Sequence, residues 1–434
     1  MPSPSLAAQP EVRPRAPWFL PLLLVLFFSS GFCALIYQTL WLRMLSLVFG
    51  VTVYAASTVL ASFMSGLAIG SVAAGRIAER TRRPLRLFGI AELAIGLTAL
   101  LTPWALTVVT RIYLQASPAL EGQLGRLTLV RFLLSFAVLL VPTVLMGATL
   151  PLVLKSALGG SRDVGERIGL LYGINTTGAI VGALLAGFVL IPGIGLNAAF
   201  VVAASINALI GVLGIAADRE ALAGATTTAD VARDTITDAH PNVVVTEADP
   251  PATAWTRRLV LLVFGLSGAV SLALEVLWFR VLIVFLRPTT YSFTLMLGTV
   301  LAGIAIGSYV ATPIVRRGRR LLPWLVGLEL GIAVFVLSSF QALGLAVRLS
   351  DWLRDALQTT PVLAYLAPLV TGSVLAILPT SLLLGMAFPI GLRVWAGAAT
   401  DDGRAARLAG YFYAVNVCGG IVGATAAGFL LIPR

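Results

Sequence analysis

One stretch of sequence occurs twice in this chain and decides its fold. Residues Ser30–Arg43 read SGFCALIYQTLWLR, and residues Ser267–Arg280 read SGAVSLALEVLWFR. The offset of 237 positions also relates Tyr54 to Tyr291, Gly66 to Gly303, Gly70 to Gly307 and Glu92 to Glu329. After short insertions the offset becomes 241, and it then relates Tyr172 to Tyr413 and Asn175 to Asn416. A register held from Ser30 to Pro192 indicates a duplicated unit.

The composition is that of a membrane protein. Of 434 residues, 58% are hydrophobic and 11% are charged, and the mean hydropathy is +0.96; soluble domains are about 25% charged. The net charge of +11 comes from Arg clusters between apolar runs, which indicates membrane topology rather than a nucleic-acid partner. Cys33 and Cys418 lie in apolar runs, so we expect no disulfide, no metal site and no cofactor.

Apolar runs long enough to cross a bilayer recur along the chain. The first unit has six predicted spans, at about 18–41, 51–75, 85–108, 128–155, 168–192 and 197–217. The second unit has five, at about 258–280, 289–312, 321–346, 362–393 and 408–433. The sequence therefore predicts an all-α, polytopic transmembrane bundle of two tandem units. Because the second unit is one helix short of the first, we expect a truncated chain that lacks a twelfth helix.

The predicted spans divide the chain into four segments. These are a disordered N-terminus (1–17), a first membrane repeat unit (18–217), a flexible cytoplasmic linker (218–256) and a second membrane repeat unit (257–434). A cytoplasmic N-terminus places most of the 30 Lys and Arg residues on the cytoplasmic side, as the positive-inside rule requires. We therefore expect a multi-pass protein of the plasma membrane, with the lipid bilayer as its first partner and parallel repeats.

Ionisable side chains inside the spans are the candidate functional groups, because a charge at that depth costs a few kcal/mol unless it is paired or hydrated. Three acidic residues fall inside spans: Glu92, Glu275 and Glu329. Glu92 and Glu329 are repeat counterparts, whereas the counterpart of Glu275 is Gln38. These carboxylates serve a proton relay, anchor a cationic substrate, or form structural pairs with an arginine such as Arg86.

Two further sets of residues have alternative interpretations. Asn175 and Asn416 lie in glycine-rich spans, where an amide either joins helices or contacts substrate. Trp41 and Trp278, each followed by an arginine two positions later, are predicted to be anchors at the membrane–water interface.

The loop predicted after the second span carries a charged motif. Residues Gly75–Arg83 read GRIAERTRR, and Gly75, Glu79, Arg80 and Arg83 resemble the signature that joins helices two and three in the major facilitator superfamily (MFS). Arg82 replaces the second glycine of that signature. The resemblance implies a gate-like charge network on the cytoplasmic side, and the alternative is a simple topology anchor.

A more specific resemblance covers both units. Ala34–Arg43 (ALIYQTLWLR), Ser65–Ser71 (SGLAIGS) and Pro84–Arg86 resemble the membrane region of the fused MFS/spermidine synthase family. In that family a polytopic membrane region precedes a soluble aminopropyltransferase domain, which transfers an aminopropyl group from decarboxylated S-adenosylmethionine to putrescine. Gln38 stands where the family usually has an acid.

Three functions remain open from the sequence. The first is a transporter-like domain that handles a small cation or polyamine, with Glu275, Glu92 and Glu329 at a site between the units. The second is the membrane anchor of a spermidine synthase, and the third is a non-transporting scaffold. No strand, Gly-rich turn and helix that would bind a nucleotide occur in order, so no catalytic residue is assigned.

Overall fold

The computed structural model describes residues 17–49, 53–116, 124–158, 164–231, 253–286, 290–357, 370–397 and 402–431. Within these ranges the chain is helical and contains no strand. The long helices are α1 (Phe19–Phe49), α2 (Val53–Arg80), α3 (Pro84–Ala116), α4 (Leu124–Leu158), α5 (Val164–Leu185), α6 (Ile191–Val231), α7 (Ala254–Leu286), α8 (Thr290–Arg317), α9 (Leu321–Leu357), α10 (Leu378–Ala396) and α11 (Asp402–Ala426). The predicted all-α class is therefore confirmed.

Ten segments in the described ranges are long and apolar enough to cross a membrane. One of them, Gly169–Glu220, is 52 residues long and would measure about 78 Å as one helix at 1.5 Å per residue. A bilayer core is only about 30 Å thick. A π-helical turn at Ala186–Leu190 and a non-helical Gly195 (φ 78°) interrupt this segment. It therefore contains the two crossings predicted at 168–192 and 197–217.

The helix pairs repeat between the two units. In the first unit α1 packs on α5, α2 on α4, and α3 on both α4 and α6. In the second unit α7 packs on α11, α8 on α10, and α9 on α10. The units meet through α2 with α11 and α5 with α8, and an exchange of the units converts one of these pairs into the other. The duplication seen in the sequence is thus a pseudo-twofold arrangement of helices.

Glycine allows the closest of these helix contacts. A Cβ atom on Gly66 of α2 would overlap the side chain of Thr143 on α4. At the repeat-equivalent place, a Cβ atom on Gly303 of α8 would lie 2.5 Å from the Cβ atom of Ser381 on α10. Within a bilayer there is little hydrophobic drive between helices, so close backbone approach provides the packing energy. The same small residues therefore hold both units together.

Several predicted boundaries change. The motif residues Gly75, Glu79 and Arg80 lie in the last turns of α2 rather than in a loop, because the helix continues beyond its apolar part. Helix α6 continues to Val231, so 218–231 of the predicted linker is helical. Of the predicted span 362–393, the described part is helical over 370–376 and turns at Ile377 before α10 begins. Residues 232–252, 358–369 and the predicted disordered N-terminus up to residue 16 lie outside the described ranges.

Candidate functional site: a cavity between the two units

A central cavity of about 220 Å³ lies between the two units. Helices α1, α2, α5, α7, α8, α10 and α11 all contribute to its wall. Its polar lining residues are Gln38, Asn175, Thr176, Ser267, Ser271, Glu275 and Asn416. Four of the predicted site residues, Gln38, Asn175, Glu275 and Asn416, therefore line one cavity, while Glu92 and Glu329 do not line it.

Glu275 is the one carboxylate among the described residues that line this cavity. It is only 7% exposed, and no described residue forms a hydrogen bond or ion pair with it. Ser267, Ser271 and Glu275 are spaced four residues apart on α7 and so share one helix face. A buried carboxylate inside a membrane protein is costly unless it is paired, hydrated or protonated.

The wall of the cavity is nearly symmetric except at Glu275. Gln38 on α1, its repeat counterpart, lines the same cavity and is also 7% exposed. Asn175 and Asn416, which are repeat counterparts, also line this cavity. The Asn416 Nδ2 atom donates to the Phe264 carbonyl at 3.0 Å. Because the second unit has the carboxylate of Glu275 where the first has the amide of Gln38, the negative charge in the cavity lies on the second unit.

Aromatic rings form part of the wall of the central cavity. Tyr172 stacks on Phe388 with a centroid distance of 4.5 Å, and Phe264 lies 4.3 Å from Phe412. Tyr172, Phe264, Phe388 and Tyr413 line the cavity. Phe264 and Glu275 are both on α7, about 16 Å apart at 1.5 Å per residue. The cavity thus combines one carboxylate with several aromatic rings, whose faces also attract cations.

Glu92 lies beside a second cavity of about 120 Å³, which is lined mainly by the first unit and also by Tyr413 of the second. Its side chain is fully buried. The Ser30 hydroxyl donates to Glu92 Oε1 at 2.5 Å, and Asn207 Nδ2 donates to Glu92 Oε2 at 2.5 Å. These neutral donors, and not an arginine, are the partners of Glu92. Sequence reasoning missed Asn207, although an amide in the middle of an apolar span was a visible signal.

Glu329 has a less complete environment than its counterpart. Ser267, the repeat counterpart of Ser30, interacts with the Glu329 carboxyl group. The Glu329 Oε1 atom is buried without a hydrogen-bond partner in the described part of the chain. Asn207 sits on α6, and α6 has no counterpart beside α9 among the described residues. Glu92 therefore has two hydrogen-bond donors, whereas its repeat counterpart Glu329 interacts with one hydroxyl group, that of Ser267.

The Arg-rich end of the bundle, formed by the α2–α3 and α8–α9 connections, joins the two units. Glu79 near the end of α2 accepts from Arg407 Nε on α11 at 3.1 Å. Lys155 Nζ on α4 donates to the carbonyls of Ala78 (2.5 Å) and Thr81 (2.8 Å), which caps the end of α2. At the other end, Leu60 packs with apolar side chains of α7 and α11 and the π-helical turn after α11. The cavity therefore lies between two inter-unit contacts.

The predicted interfacial role of Trp41 and Trp278 is wrong. Trp41 is 1% exposed and Trp278 is 3% exposed. Trp41 stacks on Tyr37 at a centroid distance of 5.5 Å. Both indoles lie inside the bundle because the repeated motif faces the neighbouring helices and not the membrane surface.

Metal ligands are sparse in the described ranges. No three His, Cys, Asp or Glu side chains there lie close enough together to hold one metal ion.

Comparison with known proteins gives two kinds of similarity. No protein-family model matches the chain. Polyamine aminopropyltransferase 2 of Streptomyces coelicolor is 30% identical over 216 residues, which is 49% of this chain and 37% of that protein. The chain thus aligns with little more than a third of that relative.

Solved structures of similar shape are transporters. The E. coli fucose:proton symporter FucP is 14% identical over 94% of each chain, with a TM-score of 0.46. The MFS proton:xylose symporter XylE is 13% identical over 95% of this chain and 88% of the other, with a TM-score of 0.49.

Proposed function

We propose that this chain is a transporter-like membrane domain that binds a small organic cation in the central cavity. The observation that carries the proposal is Glu275, a buried carboxylate that lines the cavity and has no described partner. A carboxylate in this setting is stable when a cation or water compensates its charge. An ammonium group supplies both the charge and the hydrogen-bond donors that Glu275 lacks.

A polyamine is the substrate class that we favour within this proposal. One ammonium group of a linear amine would bind Glu275, and the rest of the amine chain would extend toward the aromatic side chains that line the cavity. The name of the Streptomyces relative also refers to polyamine chemistry. The Glu79–Arg407 salt bridge and the packing of Leu60 hold the units together on either side of the cavity. This arrangement suits a site that opens alternately to the two faces of the membrane.

The orientation and the division into units belong to the same proposal. We place the Arg-rich end in the cytoplasm, because Arg80, Arg82, Arg83, Arg319 and Arg320 cluster in its connections and cytoplasmic connections are enriched in basic residues. The first unit then spans 18–217 and the second 257–434, in the plasma membrane.

Direct binding tests the proposal. Purified protein in lipid nanodiscs is titrated with putrescine and spermidine by calorimetry, and the same titration is run on Glu275→Gln. We expect binding to wild type and at least a tenfold loss in the variant, since a hydrogen bond to a charged group contributes about 1.5–3 kcal/mol. The matched control is Glu220→Gln, which neutralises an exposed carboxylate on α6, eleven residues before its last residue, and leaves binding unchanged. Equal affinity in wild type and Glu275→Gln would contradict the proposal.

A second candidate function is the membrane anchor of an aminopropyltransferase. The partial alignment with polyamine aminopropyltransferase 2 favours it. An anchor needs no amine site, so wild-type protein would bind neither putrescine nor spermidine in nanodiscs. Transport is measured separately, as uptake of labelled putrescine into proteoliposomes. Absence of both binding and uptake would favour the anchor, and binding with uptake would favour the transporter.

A further inference from the structure

We propose that Glu92, Ser30 and Asn207 form a proton-binding site inside the first unit, separate from the central cavity. The site combines a fully buried carboxylate, two hydrogen-bond donors and an adjoining cavity of about 120 Å³. The proton site itself stands on this geometry alone. Its coupling to amine binding, described below, rests on the proposed function.

The hydrogen bonds around Glu92 fit its deprotonated form. A carboxylate only accepts hydrogen bonds, and both of its oxygens accept one here, from Ser30 Oγ and Asn207 Nδ2. The remaining polar atom of the group, Asn207 Oδ1, is buried without a partner. A buried acceptor without a donor costs about 1–3 kcal/mol, so the group holds one unused acceptor next to its carboxylate.

When Glu92 is protonated, its O–H group becomes a hydrogen-bond donor for Asn207 Oδ1. One proton from a solvent hydronium ion forms an O–H bond at Glu92 Oε2 and neutralises the carboxylate. The Asn207 amide then rotates about its last side-chain bond, which exchanges Nδ2 and Oδ1. The new O–H group donates to Oδ1, while Ser30 keeps its hydrogen bond to Oε1. The Glu92 carboxyl group thus has hydrogen-bond partners in both its charged and its neutral state.

The cavity that adjoins Glu92 has room for water. One water needs about 10–15 Å³ of such space, so about 120 Å³ holds several. Tyr172, Asn175 and Tyr413 line both this cavity and the central cavity. The two cavities therefore adjoin along these three side chains, which gives a proton a route between Glu92 and the amine site. A carboxylate with a purely structural role has no use for such a connection.

No permanent positive charge faces Glu92 from the described lining. Cys33 and Tyr37 are its titratable neighbours on α1. Tyr172 on α5 and Tyr413 on α11 line its cavity, where α4 contributes Met146, Gly147, Thr149 and Leu150, and α6 contributes Asn207. Thiols and phenols are neutral near pH 7. The charge in this cavity therefore changes by one unit when Glu92 binds a proton.

This change in charge acts on the neighbouring amine site. Anionic Glu92 attracts an ammonium ion in the central cavity, and neutral Glu92 does not. By linkage, amine binding must weaken proton binding by the same factor. An amine that enters the central cavity therefore favours release of the Glu92 proton, which is exchange of one cation for another.

Infrared difference spectroscopy tests the proton site directly. Spectra of nanodisc-bound protein are compared between acidic and alkaline buffer, and we expect a protonated-carboxyl band that is absent from Glu92→Gln. Glu329→Gln, its repeat counterpart, is the matched control and keeps that band. In Asn207→Leu the band moves in frequency, because its O–H group has lost Asn207 Oδ1 as acceptor. Identical spectra for wild type, Glu92→Gln and Asn207→Leu would overturn the proposal, and Asn207→Leu decides it if Glu92→Gln does not fold.

Calorimetry at several pH values tests the coupling. Wild-type protein should release protons when it binds putrescine, and Glu92→Gln should bind more weakly and release fewer. If no putrescine binds to any variant while the Glu92 band persists, the proposed function fails and the proton site stands. Binding that is equal in wild type and Glu92→Gln at every pH would contradict the coupling.

Discussion

The two units of this protein share a helix arrangement and differ in their polar residues. The first unit keeps a carboxylate, Glu92, fully buried beside two hydrogen-bond donors. The second exposes a carboxylate, Glu275, to the cavity between the units, where the first has Gln38. The glycine contacts that bring the helices together are the same in both. The shared glycines therefore maintain the fold, and the polar positions whose identity or surroundings differ between the units indicate the chemistry.

The largest expected effect concerns the glycine contacts between helices, which the two units share. A Cβ atom on Gly147 would overlap Leu67, and a Cβ atom on Gly385 would overlap Ile304, both at backbone atoms that cannot move aside. Gly147→Leu and Gly385→Leu should each prevent recovery of folded protein, measured by size-exclusion chromatography in detergent. The control is Gly327→Leu on α9, where no atom lies within 4 Å, and it should fold. A folded Gly385→Leu with an unfolded Gly147→Leu would show that the units do not pack alike.

The next effect concerns the position where the units differ most. Glu275→Gln should weaken putrescine binding about 100-fold, which corresponds to about 2.8 kcal/mol. In the double variant Gln38→Glu/Glu275→Gln the carboxylate moves to the repeat-equivalent side of the same cavity, so binding should return in part. Calorimetry in nanodiscs measures both. A folded double variant without any binding would mean that the surroundings of Glu275, rather than its charge alone, select the ligand.

A smaller effect tests the unequal environments of Glu92 and Glu329. Asn207→Leu removes the donor to Glu92 Oε2 and should lower stability by about 1–3 kcal/mol, the cost of an unsatisfied buried polar group. Glu329→Gln removes a carboxylate with an unpartnered oxygen and should be nearly neutral or stabilising. Thermal unfolding in one detergent compares the two. A larger loss from Glu329→Gln would indicate that Glu329 has a partner outside the described residues.

The smallest effect belongs to the salt bridge between the units. Glu79 and Arg407 are 36% and 47% exposed, so their interaction should contribute only about 0.2–1 kcal/mol and should weaken with salt. A double-mutant cycle of Glu79→Ala and Arg407→Ala, measured by thermal unfolding at low and high salt, gives this coupling energy. A coupling above about 2 kcal/mol would mean that the pair is desolvated and acts as a gate.

Repeat alignment predicted more of this molecule than hydropathy did. Matching Gln38 to Glu275 and Asn175 to Asn416 identified four residues that line one cavity. Trp41 was misjudged because lipid-facing and core-facing surfaces are both apolar, so periodicity does not tell the inside of a bundle from the outside. Asn207 was missed because it has no repeat counterpart in the sequence. The partner of Glu79 was beyond sequence reasoning, since Arg407 belongs to the other unit.

The salt bridge at the Arg-rich end has a consequence for how half-molecules recognise each other. Helices α2 and α11 carry Glu79 and Arg407 at their contact, and the repeat-equivalent positions on α8 and α5 are Arg316 and Glu166. Each half is therefore uniform in sign, with Glu at both positions in the first and Arg at both in the second. Two copies of the same half would bring like charges together, whereas unlike halves attract. Separately expressed halves should therefore associate as heterodimers, and an ancestral symmetric dimer cannot have carried these charges as they now stand.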